Sequence, residues 1–217
     1  MSDWIELLTE PTLQTIYMVV VSTIFATIMG FPLGVVLVVT EKDNLIPMPK
    51  INQLLGTVVN VLRSFPFIIL MIVLFPLSRI IVGTTIGTTA TIVPLAIGAA
   101  PLVGRIVESS LKEVDKGVVE AARAMGSTTK EIILKVLIPE SMSSLVLGLT
   151  LTIISIIGYS AMAGAVGGGG LGDLAIRYGF HRFKTDVLIA SVIIMIILVQ
   201  IVQIAGNALA RKLDKNR

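Results

Sequence analysis

Five long apolar runs separated by short polar segments dominate the chain. Residues 13–40, 86–104, 141–166 and 187–208 contain no Asp, Glu, Lys or Arg, and residues 54–78 contain only Arg63. About 20 apolar residues cross the ~30 Å hydrocarbon core of a bilayer as a helix. Each run is too long for a strand, and inside lipid a helix is the one open-chain structure that satisfies its own backbone. The pattern therefore predicts an all-α membrane protein with five transmembrane helices. Pro94 and Pro101 fall inside the third.

One segment departs from this pattern. EAARAMGSTTKEIILKVLIPE, residues 120–140, carries six charged side chains between the third and fourth runs. Glu120 to Met125 contains Ala121, Ala122 and Ala124, all strong helix formers. Gly126 is a stop signal, because glycine accepts the left-handed conformation at a helix end. Thr128 followed by Glu131 fits a capping box that restarts a helix. Ile132, Ile133, Val136 and Leu137 then share one side at helical spacing. Pro139 is compatible with the first turn of a new helix, so the fourth span can begin there. Two readings stay open from spacing alone: a connector resting on the lipid interface, or a docking helix whose small residues let another protein come close. Amphipathic interfacial helices carry bulkier apolar residues than these.

Composition and charge narrow the picture further. The chain has 217 residues, 54% of them hydrophobic, and a mean hydropathy of +0.94, consistent with one compact membrane unit. It has no cysteine and one histidine, so disulfides, Cys-ligated metals and His clusters are not expected, and no metal site or cofactor is implied. The opening MSDWIELLTEP has acidic but no basic residues, unlike a signal peptide, so the first run is expected to stay in the mature protein. With the N-terminus outside, the cytoplasmic segments hold twelve positive residues: Lys42, Lys50, Arg105, Lys112, Lys116, Arg123, Lys130, Lys135, Arg211, Lys212, Lys215 and Arg217. The outer segments hold four: Arg79, Arg177, Arg182 and Lys184. The positive-inside rule then predicts N-out, C-in, with residues 120–140 in the cytoplasm.

Glu120-Ala121-Ala122, three residues, Gly126, nine residues and Val136-Leu137-Ile138-Pro139 resemble the EAA loop of ABC importer permeases, with Val136 and Ile138 as apolar departures from I-x-L-P. NVLRSFPFIIL, IVPLAIGAAPLVGRIVE and GYSAMAGAVGGGGLG resemble, more narrowly, the methionine importer permeases. The resemblance implies a type I ABC importer permease fold over residues 13–204, with an EAA coupling loop at 120–139. It implies a multi-pass protein of the bacterial cytoplasmic (inner) membrane, working as a homodimer. Its implied partners are two copies of a separate ABC ATPase, an extracytoplasmic methionine-binding protein and the bilayer, with no nucleic acid. Glu120, Ala121, Ala122, Gly126 and Pro139 become the ATPase-coupling residues. Substrate would cross by alternating access driven by the ATPase. The chain itself is not expected to be an enzyme, because it has no GxxxxGK[ST] phosphate loop.

Several residues carry two readings each. Arg63 either snorkels to an interface, or forms a structural ion pair or lines a cavity near the dimer axis, with a carbonyl or loop carboxylate as its expected partner. Tyr159, Ser160 and Met162 either pack helices together or line a pathway and gate; a flexible Met could repack around a thioether. GGGGLG, residues 167–172, lacks the strand and the Lys-Ser/Thr of a phosphate loop and is expected to form a flexible outer turn. His181 is expected to be an exposed loop residue, and Arg211 to Arg217 a basic anchor on anionic lipid. Alternative functions are a permease for another amino acid or a quaternary amine, or an ion-coupled secondary transporter. The latter needs buried ionisable groups in the spans, which the five runs do not show. No nucleophile–base pair supports a membrane enzyme.

Overall fold

A computed structural model describes residues 2–214; Lys215 and Arg217 of the basic tail lie outside the described residues. Helix α1 (Ser2–Val39) is about 57 Å long at 1.5 Å per residue, so it projects well beyond a bilayer core. It starts eleven residues before the first apolar run, taking the acidic N-terminal stretch into the same helix. Then follow α2 (Pro49–Ser64), α3 (Phe67–Val82) and α4 (Thr88–Lys112). The polar insert comprises α5 (Lys116–Ala124), α6 (Thr129–Glu131), a π-helical turn (Ile132–Leu137) and α7 (Ile138–Glu140). Helix α8 (Met142–Gly164) leads to α9 (Gly170–Leu174), a second π-helical turn (Ala175–Phe180) and α10 (Thr185–Leu213). No strand occurs among the described residues.

Helices α1, α4, α8 and α10 are each long and apolar enough to span; α2 and α3 pass the same test only as a pair, bent by 105°, which makes five spans when that pair counts as one. This corrects the expectation of one continuous helix over residues 54–78. Pro66 disfavours helical geometry at the residue before it, and Phe65 is extended (φ −70°, ψ 131°). The chain leaves α2 there and restarts as α3. Proline alone does not decide this, since Pro94 and Pro101 both lie inside an unbroken α4.

Helix α4 is the central element, with Leu95, Ala99, Val103, Val107 and Leu111 all buried. It packs along α1 at a seam of glycines. A Cβ on Gly30 would sit 2.5 Å from the Ala100 carbonyl, and one on Gly34 would sit 2.5 Å from the Gly104 carbonyl. Small residues four apart let two helix backbones approach this closely. On the opposite flank α10 shows Ile189, Ile193, Ile197, Ile201 and Ile204 to the surroundings, as a lipid-facing helix does.

The glycine-rich segment after α8 is not a free turn. The Gly170 N–H donates to Gln14 Oε1 at 2.9 Å, and the Leu171 N–H to Thr15 Oγ1 at 2.9 Å. Leu171 and Leu174 are fully or almost fully buried, so the segment closes the bundle against α1. His181 is exposed, as expected.

Candidate functional site

The insert folds from local signals. Asp115 caps α5 by accepting from the Gly117 N–H at 2.6 Å. The helix ends at Gly126, whose φ of +82° is left-handed. There the Gly126 N–H donates to the Arg123 carbonyl at 2.9 Å and the Ser127 N–H to the Ala122 carbonyl at 3.1 Å, a Schellman termination. Thr128 then restarts the chain with a full capping box: its Oγ1 accepts from the Glu131 N–H at 3.3 Å, and its own N–H donates to Glu131 Oε2 at 3.1 Å. That backbone hydrogen bond, helped by Lys135 at 3.0 Å, lowers the Glu131 carboxyl to about 2.

Helix α5 is divided into an anchored face and a free face. Ala122 is buried and belongs to the same apolar core as Val107, Leu111 and Leu137. Arg123 donates to the Asn44 carbonyl at 3.1 Å, tying α5 to the loop after α1. Val118, Ala121 and Met125 face outward, and Met125 is 80% exposed. Glu120 is exposed and lines a cavity of about 470 Å³ with Lys42, Lys112 and Arg123. Pro139 lies in α7, half-buried where the insert turns into the membrane. Four of the five coupling candidates thus share α5 and its stop, and Pro139 sits at the exit.

The pathway candidates separate. Arg63 and Tyr159 line one cavity of about 150 Å³ beside the break in span two, together with Phe65, Phe67 and Gly98. The Tyr159 ring stacks on Phe67. Arg63 is exposed and, against expectation, makes no hydrogen bond or ion pair to any described residue: the helix ends one residue later, and no carboxylate lines that cavity. Ser160 is turned into the bundle, where its Oγ donates to the Ile157 carbonyl at 2.7 Å, so in this conformation it packs helices. Met162 is 50% exposed on α8.

Residues 30–216 match the family model described as the binding-protein-dependent transport system inner membrane component. The chain belongs to that family. It is a multi-pass permease subunit of the ABC-transporter class. The permease is 50% identical over 209 residues, covering 96% of this chain and 93% of the relative, to the probable D-methionine transport system permease protein MetI of Vibrio cholerae. It is 45% identical over 179 residues, 82% of this chain and 81% of the relative, to the methionine import system permease protein MetP of Bacillus subtilis. Among solved structures it superposes with a TM-score of 0.97 and 41% identity on a chain of the MetNI methionine ABC transporter in an inward-facing conformation, covering 99% and 100% of the two chains. It shares the fold alone with an amino acid ABC transporter solved with histidines, at TM-score 0.80 and 19% identity.

The permease also carries a charge network absent from the sequence-based expectations. Helix α4 continues past residue 104 to Lys112 and brings Arg105 and Glu108 into the bundle, correcting the view that the spans lack a buried carboxylate. Arg105 donates to Glu108 at 2.6 Å, to the Gly56 carbonyl at 2.9 Å and to Asn60 at 2.8 Å. Lys112 bridges Glu108 at 3.0 Å and Glu41 at 3.1 Å. Glu108 is doubly paired, which sets it apart from the open carboxylate of an ion-coupled carrier. Spacing of 105, 108 and 112 on one helical face was the available signal.

Proposed function

We propose that this chain is the translocation subunit of an ATP-driven importer of methionine, oriented N-out and C-in, with its transmembrane domain over residues 13–204. Two copies meet about a two-fold axis. A separate ABC ATPase docks on the coupling loop of each copy, residues 120–139, and hydrolyses the ATP. An extracytoplasmic binding protein delivers methionine to the outer face.

The observation that carries this reading is the split character of α5. Its inner face, at Ala122, is part of the protein's apolar core, while Val118, Ala121 and Met125 are left outward. A surface of two small or medium residues around one flexible methionine suits insertion into a groove on a partner. Glu120 supplies a charge beside it, and the Gly126 turn sets where the helix stops. Motion of the ATPase pair then moves the spans as rigid bodies between inward and outward access, a two-state switch biased by nucleotide. Met162, exposed on α8, meets its two-fold mate across the pathway as a gate in this reading, with Tyr159 and Arg63 further along it.

The methionine assignment is supported by the relatives of up to 50% identity. Vesicles reconstituted with permease, ATPase and binding protein are expected to accumulate labelled methionine only with ATP inside, and not glycine betaine. No preference for methionine would remove the substrate assignment; accumulation without the ATPase would remove the mechanism.

A further inference from the structure

We infer that the cavity at the break in span two is the subsite where the permease holds the α-carboxylate of its amino acid, with the Arg63 guanidinium and the Tyr159 hydroxyl as donors. The inference rests on the proposed import of methionine. Its first ground is depth. Gly98 lines the cavity and stands ten residues along α4 from Thr88, roughly 15 Å, half the thickness of a hydrocarbon core. A cation at that depth is costly unless something compensates it.

The second ground is the contrast between two arginines. Arg105 donates from its two terminal nitrogens to Glu108, Gly56 and Asn60, and its Nε alone is left without a partner. Arg63 makes no hydrogen bond to any described residue, and neither does the Tyr159 hydroxyl. No Asp or Glu lines the cavity they share. A guanidinium matches a carboxylate with two parallel hydrogen bonds, so an anion of that shape satisfies what the protein leaves open.

The third ground is shape. Non-helical backbone at membrane depth is tolerated where it lines a cavity, and discontinuous helices recur at transported substrates. Here Phe65 is extended at the break, and Leu62, Phe65, Phe67 and Leu70 give apolar walls for an uncharged side chain.

The chain has no cysteine, so a single thiol introduced by Phe65→Cys reports on the cavity. The permease–ATPase complex, in nanodiscs without binding protein, would be labelled with N-ethylmaleimide in the presence of methionine or methioninol, which lacks the carboxylate. Methionine at millimolar concentration is expected to slow labelling, with methioninol at least about tenfold less effective, the scale of one lost charge-assisted hydrogen bond. Adding Arg63→Gln should raise the protecting methionine concentration by a similar factor, and Arg63→Lys should recover part of it. If Arg63→Gln does not assemble, Tyr159→Phe should still weaken protection a few-fold. Equal protection by methioninol, unchanged protection in either variant, or no protection by methionine overturns the subsite. Methionine uptake by the full system would in those cases leave the proposed function standing; its absence would remove that reading too.

Discussion

The ring of Phe67 lies on that of Tyr159, with centroids 4.4 Å apart and planes 11° from parallel. The contact joins the first turn of α3 to the outer part of α8, across the break in span two. A stacked pair contributes about 0.5–1.5 kcal/mol beyond its buried area. Phe67→Leu keeps most of the burial and removes the stacking. It should lower the thermal midpoint of the purified complex by a few degrees, read by size exclusion after heating, and Tyr159→Leu should add little further loss because the pair is already broken.

Gly126 has open space around its Cβ position, so backbone conformation and charge decide what it tolerates. At φ +82°, a residue with a side chain costs about 1–2 kcal/mol. Gly126→Asp also sets a negative charge beside the carbonyl end of α5, where the helix dipole is already negative. The variant should insert into membranes at normal levels yet lose at least about tenfold in ATPase co-purification and in uptake. Gly126→Asn, which tolerates the conformation better and adds no charge, should fall between.

The Thr128–Glu131 capping box has a predictable pH response. The Glu131 carboxyl is lowered to about 2, first by the Thr128 backbone hydrogen bond and then by Lys135. A lowered carboxyl stabilises the folded loop fully above its ordinary value near 4.5 and loses that contribution as pH falls through about 2. ATPase capture should therefore show no titration from this group between about pH 5.5 and 8. Thr128→Ala should weaken capture across that whole range, by about 1 kcal/mol from the lost cap. A capture midpoint near pH 6.5 that vanished in Glu131→Gln would contradict this account.

Arg105 and Glu108 hold each other inside the bundle. Removing Arg105 leaves the buried Glu108 with Lys112 as its one ionic partner, and the lost charge-assisted hydrogen bond costs about 1.5–3 kcal/mol. Arg105→Met should sharply reduce the yield of monodisperse permease. Arg105→Met combined with Glu108→Leu should restore much of it. Equal yields from the single variant and the parent would show that the network carries no folding role.

The parts of the fold legible in the sequence are those set by local chemistry. The apolar runs mark α1, α4, α8 and α10. Gly126 and Thr128–Glu131 mark the stop and restart of the insert, because caps are read within a few residues of themselves. The break at Phe65–Pro66 was hidden by the length of its apolar run; Pro94 and Pro101 show that the same residue type can sit inside a continuous helix when its surroundings are packed. The order of the glycine-rich segment is not legible locally, because its N–H groups donate to Gln14 and Thr15, 156 residues away. Arg63 and Tyr159 were each visible as candidates, but only folding puts them on one cavity while turning their neighbour Ser160 away from it.

The glycine seam between α1 and α4 has a consequence for how force travels. At Gly30 and Gly34 the two backbones approach so closely that a single added Cβ would collide with the Ala100 or Gly104 carbonyl. Helix α5 is linked to this pair by Ala122, which shares one apolar core with Val107 and Leu111 of α4, and by Arg123, which donates to the loop after α1. The same α1 carries Gln14 and Thr15, which accept from the backbone of the glycine-rich segment, so this close-packed pair links the insert to that segment.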